Sequence, residues 1–391
     1  MQQFDLIVIG SGPAGQRAAI QAAKAGKRVA LVERREVLGG VCVNTGTIPS
    51  KTMREAVLHF SGYRYREIYG INYRLKDNIT MADLVYRVQH VIKTEVDVTQ
   101  SQLARNNVEI LNGVASFIDP THVAVTNSHG TTEYEAVYVL IATGTKPAAS
   151  QLVPINGRTI IDSDQGLAMP EIPKTLIVVG GGVIGVEYTC MFATLGVRVI
   201  LAEKRPRLLE FADNEMVEAL SYHLRAVRVI MHLNEEVASV EETGGCVVAT
   251  LRSNKEITGD ALLYAVGRQG NVDELNLAAA GIESDSRGRI KVDADYRTRQ
   301  PNIFAAGDVI GFPSLASVSM EQGRIAAGRA FQLPLHSNPA NYPYGIYTIP
   351  EISFIGKTEE QLTEEDVPFE VGLACYRELR AARSAGTPPE G

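Results

Sequence analysis

One pattern occurs twice in the sequence, and it narrows the fold more than any other feature. Residues 4–34, "FDLIVIGSGPAGQRAAIQAAKAGKRVALVER", and residues 174–204, "KTLIVVGGGVIGVEYTCMFATLGVRVILAEK", share one plan: an apolar strand, a glycine turn, a helix of small residues, and a second strand ending in an acid. The glycines stand at Gly10, Gly12 and Gly15 in the first copy and at Gly180, Gly182 and Gly185 in the second. A lone G-x-G-x-x-G is weak, but directly after a strand and at the opening of a helix each glycine acquires a role. The first makes the turn, the second lets backbone approach a pyrophosphate, and the third lets helix and strand pack closely. The helix N-terminus adds unpaired N–H groups and positive potential. Glu33 and Glu203, ending the second strands, are placed to accept from an adenosine ribose hydroxyl. The copies lie about 170 residues apart, so the pattern predicts an α/β protein with two doubly wound nucleotide-binding domains. Two dinucleotide sites in one chain imply electron passage from one bound cofactor to another.

A length of 391 residues suits two or three domains of ordinary size. Between the copies, Met81 to Asn106 has helical periodicity, and Val108 to Thr143 reads as short alternating strands closing on "VYVLIATGTKP". After the second copy, "CVVATLRSNKEITGDALLYAVGR" reads as a hairpin and then a buried strand, and the Pro- and Asn-rich "LPLHSNPANYPYG" as a boundary. The expected divisions are 1–149 for the first part of one nucleotide domain, 150–269 for the other, 270–334 for the remainder of the first, and 335–391 for a fragment of a third. That fragment reads as strand, short helix and strand, and its last stretch, "RSAGTPPEG", as a disordered tail.

Composition excludes several classes. Lys plus Arg number 38 against 45 for Asp plus Glu, a net charge of −7 that argues against nucleic-acid binding. Cys42, Cys190, Cys246 and Cys375 lie far apart, with no CxxC or Cys/His cluster. Neither a metal site nor a secreted disulfide framework is therefore expected, and a reducing cytoplasm is. The N-terminus lacks the basic region of a signal peptide. The stretch "TLIVVGGGVIGVEYTCMFATLGV" has the length of a membrane span, but three adjacent glycines and Glu187 argue against that reading, and no membrane partner is expected.

Further motifs follow in order: "GGVC...IPSK" within 39–51, "IATG" at 141–144, "AVGR" at 265–268 and "NIFAAGDVIG" at 302–311. With the two glycine fingerprints, they resemble the FAD-dependent pyridine nucleotide-disulfide oxidoreductases over residues 4 to about 375. The resemblance implies a Rossmann-like FAD domain carrying Gly10, Gly12, Gly15 and Glu33, an NAD(P) domain carrying Gly180, Gly182, Gly185 and Glu203, and an α+β interface domain, here incomplete. It implies that Asp308 holds the ribityl chain of FAD, and that a helix beginning near Ser317 aims its N-terminus at the flavin N1 and C2 carbonyl, where reduction places negative charge. Lys51 would lie beside flavin N5 and pair with Glu187, so that a buried cation is not left alone. Cys42, Thr143, Gly144 and Gly267 would line the cofactor sites. The bland alternatives are Asp308 as a helix-capping acid, Lys51 as a solvated helix residue with Glu187 as its surface partner, and Cys42 as a small apolar filler.

One position departs from the disulfide reductases: Thr47 stands where a second cysteine would complete the loop. A threonine hydroxyl serves neither as thiolate nor as acceptor sulfur, so electrons reaching a flavin have no disulfide exit. "TGTIPSK" after a single cysteine, with "SLAS...EQGRIAA" and "GIYTIPEIS", is most similar to the soluble, Si-specific transhydrogenase branch of the family; lipoamide dehydrogenase, a close relative, has the second cysteine. The expected activity is hydride transfer between NADPH and NAD through flavin N5. The alternatives are a lipoamide-dehydrogenase-like NADH diaphorase and, from another class, an inactive flavin-binding subunit. Glu203 favours NAD(H) and repels the 2'-phosphate of NADP(H), whereas Lys204, Arg205 and Arg207 offset that repulsion or form only a solvated turn. Family members form homodimers through a full interface domain. This chain stops roughly halfway through that domain and lacks an "HPT" sequence, which predicts a monomer or soluble aggregate.

Overall fold

The computed structural model describes residues 1–70, 72–335 and 342–374. Cys375, the tail beyond it and residues 336–341 of the expected boundary lie outside the described residues. The described chain divides into two compact units, one built from 1–49, 89–148 and 268–335, the other from 50–70, 72–88, 149–267 and 342–374.

The first unit is organised by a seven-stranded sheet. Gln2–Ile9 lies between Val29–Glu33 and Gly130–Ile141, parallel to both, and Glu109–Asn112 extends the sheet beyond Val29–Glu33. On its other side Gly130–Ile141 takes His122–Asn127 antiparallel along its first half and Ile303–Ala305 parallel along its second, and Val114–Phe117 closes that edge. Strands covered on both faces read as unbroken apolar runs, and every residue of "VALVE" at Val29–Glu33 is buried. Leu6 and Val8 face the helices Pro13–Lys24 and Ala316–Ala330, while Ile7 and Ile9 pack on the opposite side with Phe117, Val123 and Val125. Helix Pro13–Lys24 carries alanines at positions 14, 18, 19 and 22, all buried. Its partner helix crosses so near that a Cβ at Gly323 would collide with the carbonyl oxygen of Ala14.

The second unit has a five-stranded, all-parallel sheet in the order Ile230–Leu233, Arg198–Glu203, Thr175–Val179, Ala261–Tyr264, Ile160–Asp162. A three-stranded antiparallel sheet, Val237–Thr243, Cys246–Leu251 and Glu256–Gly259, follows the predicted hairpin. Helix Val183–Thr194 is buried along nearly its whole length, which accounts for the membrane-like hydropathy of its sequence. Among the described residues no helix is long and apolar enough to cross a membrane.

The contacts group residues differently from the expected divisions. Residues 50–88 fall with the second unit, where Tyr63 meets His223 at 3.3 Å and the Arg66 guanidinium donates to the Thr194 carbonyl. Residues 342–374 fall with that unit as well, Tyr344 and Phe354 stacking on each other while Phe211 packs against both at a tilt. Their order is also strand, strand, helix: Tyr344–Ile346 pairs antiparallel with Ile352–Phe354, and Glu359–Glu364 follows. The alternation Val367, Phe369, Val371, Leu373 has strand period, yet all four side chains are exposed and none of these residues is in a strand, since period alone makes no ladder.

Gly323→Ala tests the helix contact. The added methyl should cost about 1 to 3 kcal/mol, seen as a lower urea midpoint; an unchanged midpoint would mean that the helices separate freely.

Candidate functional site

The glycine turns are built alike in the two units. A Cβ at Gly10, whose φ is +108°, would collide with the Ala142 carbonyl, and one at Gly180, with φ +112°, would come within 2.5 Å of the Ala265 carbonyl. Cβ atoms at Gly15 and Gly185 would collide with the carbonyls of Gly10 and Gly180. At Gly12 and Gly182, the N-caps of their helices, an added Cβ would meet no atom within 4 Å. The middle glycine thus borders open space at a helix N-terminus in both cases, where backbone N–H groups and the helix dipole favour an anion.

The two acids differ. Glu33 is buried and accepts from the Ser11 N–H (3.0 Å), the Ser11 hydroxyl (2.5 Å) and the Arg35 N–H (3.0 Å). A carboxylate has about four acceptor positions, so Glu33 keeps one open. Glu203 accepts from the Gly181 N–H, the Arg205 N–H (2.9 Å), Arg205 Nε (2.9 Å) and Arg205 Nη2 (3.0 Å), and is full. Burial works to raise the Glu203 carboxyl, but the side-chain and backbone hydrogen bonds of Arg205 and the Gly181 N–H outweigh it and hold the group below the usual carboxylate range. Of the basic run, Arg205 alone reaches Glu203; Arg207 instead donates to Asn214 and to the Glu210 carbonyl.

Around the first turn the "GGVC" loop presses onto the glycines. The Gly39 N–H donates to the Ser11 hydroxyl at 2.9 Å, and a Cβ at Gly40 would stand 3.0 Å from the Gly12 Cα. Cys42 lies on the short helix Gly40–Asn44, and Thr47 opens helix Thr47–Phe60. Thr143 and Thr45 each bury a hydroxyl oxygen with no hydrogen-bond partner. Gly144 (φ +64°) has open space at its Cβ position. Asp308 follows Gly307 and accepts from the Ser319 hydroxyl at 3.2 Å; withdrawal from solvent raises its carboxyl, against the lowering effects of Ser319 and the Arg268 charge. The helix expected near Ser317 runs over Ala316–Ala330. Arg268, just after Gly267 (φ +126°), donates to the Thr145 hydroxyl and carbonyl. Its sequence signal was the "AVGR" motif. These open glycines and unpartnered hydroxyls fit a dinucleotide on the first unit.

In the second unit, Lys51 Nζ lies 2.9 and 2.6 Å from the two carboxylate oxygens of Glu187, with side chains 25% and 6% exposed. The reading of Glu187 as a surface partner is therefore set aside: it is buried in the first turns of the helix after Gly182. The Tyr347 N–H also donates to Glu187, at 2.9 Å, and nothing in the local sequence around Lys51 or Glu187 signalled it. Cys190 lies fully inside, and burial, foremost, pushes its thiol up to about 12. No disulfide forms and no cluster of metal ligands occurs among the described residues.

The model of the pyridine nucleotide-disulphide oxidoreductases matches residues 4–323. The chain belongs to this family. Within it the chain is 50% identical over 389 residues to the soluble pyridine nucleotide transhydrogenase of Mycobacterium tuberculosis (strain ATCC 25177 / H37Ra), covering 99% of this chain and 83% of that protein. It is 42% identical to the enzyme of the same name from Colwellia psychrerythraea, covering 97% and 82%. Among solved structures of family relatives, LpdA from Mycobacterium tuberculosis superposes with a TM-score of 0.91 at 26% identity, covering 100% of this chain and 85% of that one. The Cu(II) complex of the HOCl-induced flavoprotein disulfide reductase RclA from Escherichia coli gives 0.87 at 29%, covering 99% and 85%.

Gly12→Val separates folding from family cofactor binding. With φ −67° and open space at the Cβ position, the variant should melt as the parent does. Flavin occupancy should drop roughly tenfold or more, since blocking the pyrophosphate need cost only about 1.4 kcal/mol to do so; stoichiometric flavin in the variant would move the site elsewhere.

Proposed function

We propose that this chain is an FAD-dependent pyridine nucleotide transhydrogenase that moves hydride between NADPH and NAD without a redox disulfide. The observation that carries the reading is Thr47, a hydroxyl at the position where a disulfide reductase of this family needs sulfur, in a chain 50% identical to proteins named soluble pyridine nucleotide transhydrogenases. Bound FAD supplies a two-electron hydride carrier. The chain's own residues divide the remaining work. The turn at Gly10, Gly12 and Gly15 holds the FAD pyrophosphate on a helix N-terminus, Glu33 takes a ribose hydroxyl on its remaining acceptor position, and the Thr45 and Thr143 hydroxyls find their partners in the cofactor. Asp308 accepts from the ribityl chain, which offsets the cost of its withdrawal from solvent. The turn at Gly180, Gly182 and Gly185 takes the nicotinamide nucleotide. Lys51 would supply a positive charge toward the reacting ring, and the buried Glu187 keeps that charge compensated. The 50% identity to proteins named soluble pyridine nucleotide transhydrogenases supports a cytoplasmic setting.

The purified, flavin-loaded chain should reduce a NAD analogue at the expense of NADPH. Anaerobic titration should take up two electrons per FAD without a long-wavelength charge-transfer band. Uptake of four electrons, or no transfer between nucleotides, would overturn the reading.

Nucleotide choice rests on the pair at the second acid. Glu203→Ala should release Arg205 for a 2'-phosphate and shift relative affinity toward NADPH by roughly 1.5 to 3 kcal/mol, whereas Arg205→Ala should shift it toward NADH. Equilibrium titrations with both nucleotides read the ratio; a ratio unmoved in both variants removes the pair from the specificity account.

A further inference from the structure

Tyr347 belongs to "GIYTIPEIS", a motif that the nucleotide turns and the flavin loop leave without a task. Its backbone N–H donates to Glu187 Oε1 at 2.9 Å, and its ring lies 5.0 Å from Lys51 Nζ, so one residue touches both members of the ion pair. The carboxylate oxygen that accepts from Tyr347 also accepts from Lys51, and the backbone contact therefore fixes the direction in which the ammonium is held.

The segment carrying Tyr347 is itself anchored next to Lys51. Arg54, with a side chain only 5% exposed, donates from Nε (3.2 Å) and Nη2 (2.9 Å) to the carbonyl of Thr348 and pairs with Glu351 at 2.7 Å. Lys51 and Arg54 are three residues apart on helix Thr47–Phe60 and so share a face. Thr348 is fully buried, and its hydroxyl donates to the Pro350 carbonyl. The strap 347–351 is thus tied to one helix through Arg54 and to another through Glu187, with the Tyr347 ring laid over the cation. A ring face attracts an ammonium and at the same time keeps water from it.

We propose that Tyr347 is a positioning residue for hydride transfer: its N–H sets the Glu187 carboxylate, and its ring restricts and partly dehydrates the Lys51 ammonium that acts toward the flavin. This rests on the proposed place of Lys51 beside the flavin. The phenol hydroxyl has no part in it, so the ring face alone is needed.

Tyr347→Phe and Tyr347→Leu separate ring from bulk, and both keep the backbone N–H. Tyr347 is 44% exposed, so neither change opens a core cavity. Two readouts need no nicotinamide nucleotide: acetylation of Lys51 by acetic anhydride in the flavin-free protein, followed by peptide mass spectrometry, and the flavin midpoint potential of the loaded protein, by photochemical reduction against a reference dye. In Tyr347→Leu, Lys51 should acetylate about two- to fivefold faster, the range of a partly exposed cation–π contact, and the potential should move to more negative values. Tyr347→Phe should match the parent in both. A Leu variant with the parent's potential, or a Phe variant that behaves like the Leu variant, would overturn the proposal. Loss of hydride exchange between nucleotides in the parent itself would strike the transhydrogenase reading and leave both measurements interpretable.

Discussion

In each unit a glycine in the first turn of a helix lies against the carbonyl oxygen of the glycine that follows the preceding strand, with room for a hydrogen and nothing larger. The contact sets how close the helix comes to the sheet and where its first N–H groups point. Much of the candidate site follows from it. The strand of Glu33 must run beside Gln2–Ile9, and that of Glu203 beside Thr175–Val179, for the acids to reach the residue after the turn. The second close approach, of Gly323 on Ala14, lets Ala316–Ala330 share the same small-residue helix that the first turn begins. Small side chains are used wherever backbone must meet backbone, and bulk is kept for the sheet faces.

The ion pair obeys a different constraint. Lys51, Glu187 and Tyr347 lie far apart in sequence and meet only when the second unit is assembled. A partly buried ammonium or carboxylate left alone costs several kcal/mol, so each member of the group depends on the others being in place. Cys190, on the same helix as Glu187, is buried as a small apolar side chain with an inert thiol.

Both glycine turns, the acids at the strand ends and the long helix Met81–Arg105 were legible in the sequence, because each depends on residues within a few turns of one another. The Lys51–Glu187 contact was reached through family resemblance, since spacing says nothing about residues brought together by tertiary packing. Two features stayed hidden for physical reasons. The grouping of 50–88 with the second unit depends on single contacts such as Tyr63 with His223, which leave no periodic trace. Arg205 could be named as a nearby cation, but that it caps all of Glu203's remaining acceptor capacity depends on a side-chain rotamer, which no sequence pattern encodes. The strand expected after Glu359–Glu364 illustrates the converse: alternation was present, and among the described residues a neighbouring strand was not.

The unequal saturation of Glu33 and Glu203 has a kinetic meaning. A ligand hydroxyl arriving at Glu33 finds a vacant lone pair on a carboxylate already immobilised by short-range neutral donors, so nothing has to let go for it to bind. At Glu203 every incoming hydroxyl competes with a guanidinium on a flexible stem, and every departing one is replaced by it. The first arrangement lengthens residence and suits a molecule that stays. The second lowers the barrier to departure, because the vacated acceptor is refilled from within the protein before water has to reorganise around a bare buried charge. On the proposed reading, in which one nucleotide leaves before the next enters, the choice of donor at Glu203 favours fast exchange, with the acid itself the same as at Glu33.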